Sequence, residues 1–150
     1  MTRTFDFAVG RTNPETFPVG KMQLAAHVAI ERESEALTNY PGRLGHPGLR
    51  AIMAARESER EGVSVDPDAI ALMNGSMQAV TLIAEALTTP GDTVICEEFT
   101  YSGTIGAYRS LGIEMIGLPL DNDGMRVDLL ESTLDRLGAM RKPKFIYALT

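Results

Sequence analysis

The residues Met73-Asn74-Gly75-Ser76-Met77-Gln78 stand between a short apolar run, Ala69–Met73, and an apolar helical stripe of Met77, Val80, Ile83, Ala84 and Leu87. Small residues at such a turn let backbone N–H groups approach an oxyanion, and the dipole of the helix that follows favours negative charge. The Ser76 hydroxyl can donate one more hydrogen bond, so the chemistry this pattern points to is the holding of a phosphate. The plainer alternative is a strand-end turn at Gly75 with Ser76 as an ordinary N-cap. A second group, Glu97-Glu98-Phe99-Thr100-Tyr101-Ser102-Gly103, follows the next apolar run, Thr93–Cys96, and sets Tyr101 at the carboxyl edge of the neighbouring strand. There its ring can stack on a planar ligand or pack between sheet and helix.

Other chemistries lack their residues. There is no Gly-x-x-x-x-Gly-Lys-Ser/Thr loop and no Gly-x-Gly-x-x-Gly turn, which removes the usual nucleotide and dinucleotide readings. His27 and His46 stand nineteen residues apart, and a single cysteine, Cys96, completes neither a disulfide nor a thiolate zinc site, so no metal is expected. A Gly-x-Ser-x-Gly elbow is missing as well. Asp121-Asn122-Asp123-Gly124 lacks the ligand spacing of a calcium loop and is read as a surface turn, and Cys96 as a small hydrophobe inside a strand.

Fourteen Lys and Arg against 20 Asp and Glu give a net charge of −6, and an acidic surface argues against a nucleic-acid partner. No apolar run approaches a membrane span and the first residues lack the apolar core of a signal peptide, so neither a membrane nor secretion is expected. The lone thiol fits a reducing cytosol, and a cytoplasmic location follows as an expectation.

The elements that must position these groups are read from periodicity. Residues 5 to 20, rich in Gly and Pro, predict an extended arm, and Met22, Ala25, Val28 and Ala29 a weakly amphipathic helix. Asn39 to Pro47 is a structured loop, and a helix runs from about 47 to 61, opened by Pro47 and closed by Gly62. From Asp68 onward, apolar runs at Ala69–Met73, Thr93–Cys96, Ile113–Leu118 and Phe145–Leu149 alternate with helices. These begin near Met77, at Ser102, and at Asp128-x-x-Glu131, which has the form of a capping box. The alternation predicts an α/β fold, a mainly parallel sheet with crossover helices, whose ligand sits beyond the carboxyl ends of the strands. The division expected is 1–46 for arm, weak helix and loop, and 47–150 for the first part of a ligand-binding domain.

Four segments, in this order, resemble the N-terminal half of fold-type I pyridoxal-phosphate aminotransferases, most closely the branch containing aminoadipate and kynurenine aminotransferases. They are Phe7-Ala8-Val9-Gly10 through Pro18, Tyr40 through Gly45 to Arg50, Asn74 to Gln78, and Glu97 to Gly103. The resemblance implies the large-domain fold of that family and pyridoxal 5'-phosphate as cofactor. It implies that Gly75, Ser76 and Met77 line the phosphate cup with Gln78 beside them, and that Tyr101 stacks on the pyridine ring. Tyr40 would reach the cofactor of a partner subunit in a homodimer with shared sites, and Gly10 lies in the arm closing over the substrate. Relatives commonly have Gln where Met77 stands, leaving only its backbone N–H for the cup. Arg11, beside Gly10, either meets a substrate carboxylate or is simply solvated.

The activity implied is ping-pong transfer of an amino group between an amino acid and a 2-oxo acid. The Schiff-base lysine, the acidic partner of the pyridine nitrogen and the substrate-binding arginine are expected downstream, since Lys21, Lys142 and Lys144 do not fall at the family's position. These residues are therefore expected to be the front part of a longer enzyme and to be inactive alone. A fold-type I lyase or decarboxylase is an alternative with the same cofactor. A ligand-sensing regulatory domain on the same scaffold is another, although Met1 so close to the arm leaves no room for a DNA-binding module ahead of it. A small α/β binding domain sharing only the doubly wound pattern is the third.

Overall fold

Proline and glycine set the ends of several helices. The structure, a computed structural model, describes residues 10, 12–40 and 42–149, and the chain divides into two units, Met1–Ala71 and Leu72–Thr150. In the first, Asn13 accepts the Glu15 N–H at 3.0 Å and caps a short 3-10 turn, Pro14–Thr16. Helix α1 then spans Val19–Arg32. The expected arm through residue 20 is corrected accordingly: its described part is turned by the Asn-Pro cap and enters a helix at Val19. No residue of α1 is buried.

Helix α2, Pro47–Glu61, matches the expected bounds because both ends are written in the backbone. Pro47 supplies a fixed φ at the first helical position and lacks only an N–H that the helix leaves free. Gly62 closes it at φ 68°, in the left-handed region. The Arg50 guanidinium donates to the Pro67 carbonyl at 3.0 and 3.2 Å and pairs with Asp68, which ties the Pro67–Ala69 turn to α2.

The second unit holds α3 (Ser76–Leu87), β1 (Thr93–Glu97), α4 (Ser102–Ser110), β2 (Glu114–Leu118), a hairpin of β3 (Leu120–Asp121) and β4 (Gly124–Met125), α5 (Leu130–Leu137) and β5 (Ile146–Tyr147). The main sheet has the order β2-β1-β5 with both pairings parallel, as expected, and Cys96 lies opposite Gly117 on one side and Tyr147 on the other. All five residues of β1 are buried. Ala84, Val94, Tyr108 and Ile113 form the core cluster. The Tyr108 ring meets Phe145 and Tyr147 edge-on, with centroids 5.9 Å away in each case, the arrangement aromatic quadrupoles prefer.

Two expectations are corrected here. Ala69–Met73 is not a strand: Pro67–Ala69 is a 3-10 turn and Ile70 is extended, at φ −101° and ψ 126°, yet among the described residues no neighbour supplies a ladder. The Asp128-x-x-Glu131 box does not form either. Arg126 takes the Asp128 carboxylate through Nε at 2.7 Å and Nη2 at 2.5 Å, a 3-10 turn occupies Val127–Leu129, and α5 starts at Leu130 with no side-chain cap. The turn at Asp121–Gly124 joins the hairpin, with the Asp123 N–H donating to Asp121 Oδ1 at 2.9 Å.

The turn feeding β1 is held by Asp92, whose Oδ2 accepts the Thr89 N–H at 2.8 Å and hydroxyl at 3.0 Å. The Thr89 amide outweighs the opposing effect of burial and, helped by the Thr89 hydroxyl and the Lys144 ammonium, holds the Asp92 carboxyl below its ordinary range. A depressed folded-state pKa means the contribution is present above the unfolded value of about 3.9 and is lost as pH falls through the folded value. Asp92→Asn is therefore expected to flatten the acid limb of stability, read as urea midpoints from neutral pH down to about pH 3. An acid limb as steep as that of the parent would count against this role.

Candidate functional site

Topology brings two helix starts to one edge. Helix α3 leads into the amino end of β1 and α4 leaves its carboxyl end, while Ala84 and Tyr108, toward the carboxyl ends of these helices, pack with Val94 and Ile113 at the amino ends of β1 and β2. The N-termini of α3 and α4 thus face the carboxyl edge of the sheet, where open parallel sheets bind ligands.

At the first of these, Gly75 is the N-cap, at φ 85° and ψ 165°, a conformation that favours glycine. A Cβ there would meet nothing within 4 Å, so the space over the turn is open. Ser76 is the first helical residue and not the N-cap, and no side chain caps α3, which corrects the plainer reading of Ser76. The N–H groups of Ser76, Met77 and Gln78 have no intrahelical acceptor by helix geometry. Gln78 turns back, and its Oε1 accepts the Asn74 N–H at 2.6 Å, which closes the turn. Three convergent N–H groups, a hydroxyl and a helix dipole suit a phosphate dianion.

Tyr101 is the N-cap residue of α4 and half exposed, at 50%. Its ring lies over the first turn of that helix and not in the core, where Tyr108 supplies the buried aromatic. An exposed aromatic face at the same sheet edge as an uncapped helix fits a planar, phosphorylated ligand such as pyridoxal phosphate. Cys96 is buried, and burial, with Glu97 adding to it, pushes its thiol up, so it stays neutral and is no nucleophile. The buried Glu97 accepts the Leu149 N–H at 2.9 Å and anchors the end of β5. A cavity of about 240 Å³ beside it, lined by Cys96, Glu98, Arg109 and Met115 among others, contains none of the cup residues.

In the first unit, Gly10 is exposed and Tyr40 fully so, while Arg11 lies outside the described residues. Tyr40 lines an apolar cavity of about 780 Å³ with Leu37, His46 and Leu49. Sequence reading missed His46, whose Nδ1 accepts the Leu49 N–H at 3.3 Å and caps α2. It gave no separate role to Gly103, over which the Tyr101 ring lies. The signal common to both is an aromatic residue followed two positions later by glycine at a helix start, His46-Pro47-Gly48 and Tyr101-Ser102-Gly103. Among the described residues no group of three or more His, Cys, Asp or Glu could hold a metal, and no helix is long and apolar enough to cross a membrane.

Known proteins carry the same fold. Aromatic-amino-acid aminotransferase 1 of Thermococcus litoralis is 32% identical over 143 residues, covering 95% of this chain and 34% of that protein. The crystal structure of an archaeal alanine:glyoxylate aminotransferase matches with a TM-score of 0.86 at 36% identity, over 95% of this chain and 35% of that one. The α-aminoadipate aminotransferase LysN from Thermus thermophilus, complexed with N-(5'-phosphopyridoxyl)-L-leucine, matches at 0.79 and 30%, over 94% and 34%. A helix-turn-helix-type transcriptional regulator of Escherichia coli, YdcR, is also similar, 28% identical over 85% of this chain and 27% of its own length. The chain spans about a third of the length of the first curated relatives it matches. Residues 6–148 fit the family model for aminotransferase class I and II, and it is to that family that this chain belongs.

Proposed function

We propose that the polypeptide carrying this chain is a pyridoxal-phosphate-dependent aminotransferase, moving an amino group from an amino acid to a 2-oxo acid by a ping-pong course. The observation that carries the reading is the uncapped start of α3 at the same sheet edge as the half-exposed Tyr101, in a chain of this family. The N–H groups of Ser76 and Met77 and the Ser76 hydroxyl donate to phosphate oxygens, Gly75 lets them approach, and Gln78 keeps the turn closed. Tyr101 covers one face of the pyridine ring and excludes water from it. When bound, the cofactor supplies an electron sink for the substrate's Cα.

Residues 47–150 are then the first part of the cofactor-binding domain. Gly10 belongs to the arm that closes over the substrate, with Arg11 beside it in sequence, and Tyr40 completes the partner subunit's phosphate site in a cytoplasmic homodimer that binds neither nucleic acid nor membrane. The Schiff-base lysine and the acid on the pyridine nitrogen belong to the rest of the polypeptide. The visible absorption of the full-length protein, recorded before and after addition of an amino acid alone, tests this. A cofactor band that converts to the amine form, and returns on adding a 2-oxo acid, is the expected result. No band with pyridoxal phosphate supplied would refute it. A band that amino acids leave unconverted would favour the ligand-sensing reading, which the similarity to YdcR supports.

A further inference from the structure

We propose that Gly103 is a positioning residue for Tyr101: lacking a Cβ, it admits the tyrosine ring over the first turn of α4 and so sets the plane on which the cofactor ring stacks. The inference rests on the reading just given. A Cβ built at residue 103 would lie 2.5 Å from Tyr101 Cε1, 2.9 Å from Cζ and 3.1 Å from the hydroxyl oxygen, closer than side chains tolerate. Position 103 lies inside α4 without a positive φ, so its backbone makes no demand for glycine. In the first turn of a helix nothing in the backbone calls for glycine over alanine, and the ring lying above it is the feature that a side chain at 103 would disturb. The first unit holds the same arrangement. A Cβ at Gly48 would come 2.9 Å from His46 Cε1, and that ring, laid over its glycine, is the one whose Nδ1 caps α2.

The ring is the movable partner, so alanine at 103 displaces the ring and leaves the helix intact. Gly106, in the same helix, is the internal control, since a Cβ there meets nothing within 4 Å. The experiment uses the full-length protein and its Gly103→Ala, Gly106→Ala, Tyr101→Ala and Tyr101→Ala/Gly103→Ala forms. Pyridoxal phosphate affinity, the visible circular dichroism of the bound cofactor and the thermal midpoint of the apo protein are recorded. Gly103→Ala is expected to weaken binding about tenfold, the worth of one stacking contact. It should alter the visible dichroism and leave the apo midpoint unchanged or raised, whereas Gly106→Ala matches the parent in binding and dichroism. Added to Tyr101→Ala, Gly103→Ala should weaken binding no further. Parent-like binding and dichroism in Gly103→Ala, with Tyr101→Ala impaired, would overturn the role of the glycine alone, as would a loss that persists in the double variant. Parent-like binding in Tyr101→Ala would overturn the stacking role as well, and a parent protein that takes up no cofactor would overturn the functional reading itself.

Discussion

Ser76→Asp is expected to lower the affinity of the full-length protein for pyridoxal phosphate by about 100-fold or more, because a carboxylate would face a phosphate carrying about −1.5 to −2 charges, and like charges placed together cost several kcal/mol. The same change should not harm the fold. Ser76 is the first residue of α3, a position where no side chain caps the helix, and a negative charge in the first turn stabilises a helix by about 0.3–1 kcal/mol. Affinity and stability therefore move in opposite directions, which a general loss of folding cannot imitate. The paired measurement is a cofactor titration and a thermal melt of the apo protein. Unchanged affinity in Ser76→Asp would remove the phosphate from α3.

The second large effect is on stability. Tyr108 is 1% exposed, belongs to the core cluster with Ala84, Val94 and Ile113, and meets two further aromatic rings. Tyr108→Ala is expected to destabilise the protein by about 3–5 kcal/mol, the range for truncating a large buried aromatic, since the lost transfer energy is joined by a cavity between α4 and the sheet. Tyr101→Ala, which removes a half-exposed ring, should change stability by a small fraction of that. Urea unfolding of the two variants checks the contrast. A Tyr108→Ala loss as small as that of Tyr101→Ala would mean that the sheet and α4 are not packed as described.

What could be read from the sequence was whatever the local backbone encodes. Pro47 and Gly62 act through φ alone, and the helix between them is where their positions placed it. β1 and β2 were legible because their apolar runs end at turn residues. Ala69–Met73 has the same look, but a strand is made by its partner, and the sequence of one segment does not carry the identity of its neighbour. The capping box failed for a different reason: Asp128 had a choice of donors, and the guanidinium of Arg126, two residues earlier, offers two charged N–H groups against a single amide. At the candidate site, Gly75 was legible as a turn glycine because its positive φ is a local property. Gly103 was not, since its meaning depends on where the Tyr101 ring comes to rest. His46 as a cap was hidden because the residues usually found at helix starts are short and polar.

Helix α1 buries none of its fourteen residues, and Val19, Met22, Leu24 and Ile30 are all more than half exposed. Isolated helices of about 12–15 residues are marginal in water, and helix and coil exchange in about 0.1–1 μs. Its order is thus conditional in time as well as in energy. β1 is buried along its whole length, whereas α1 offers a row of apolar side chains whose burial would have to come from something outside the first unit.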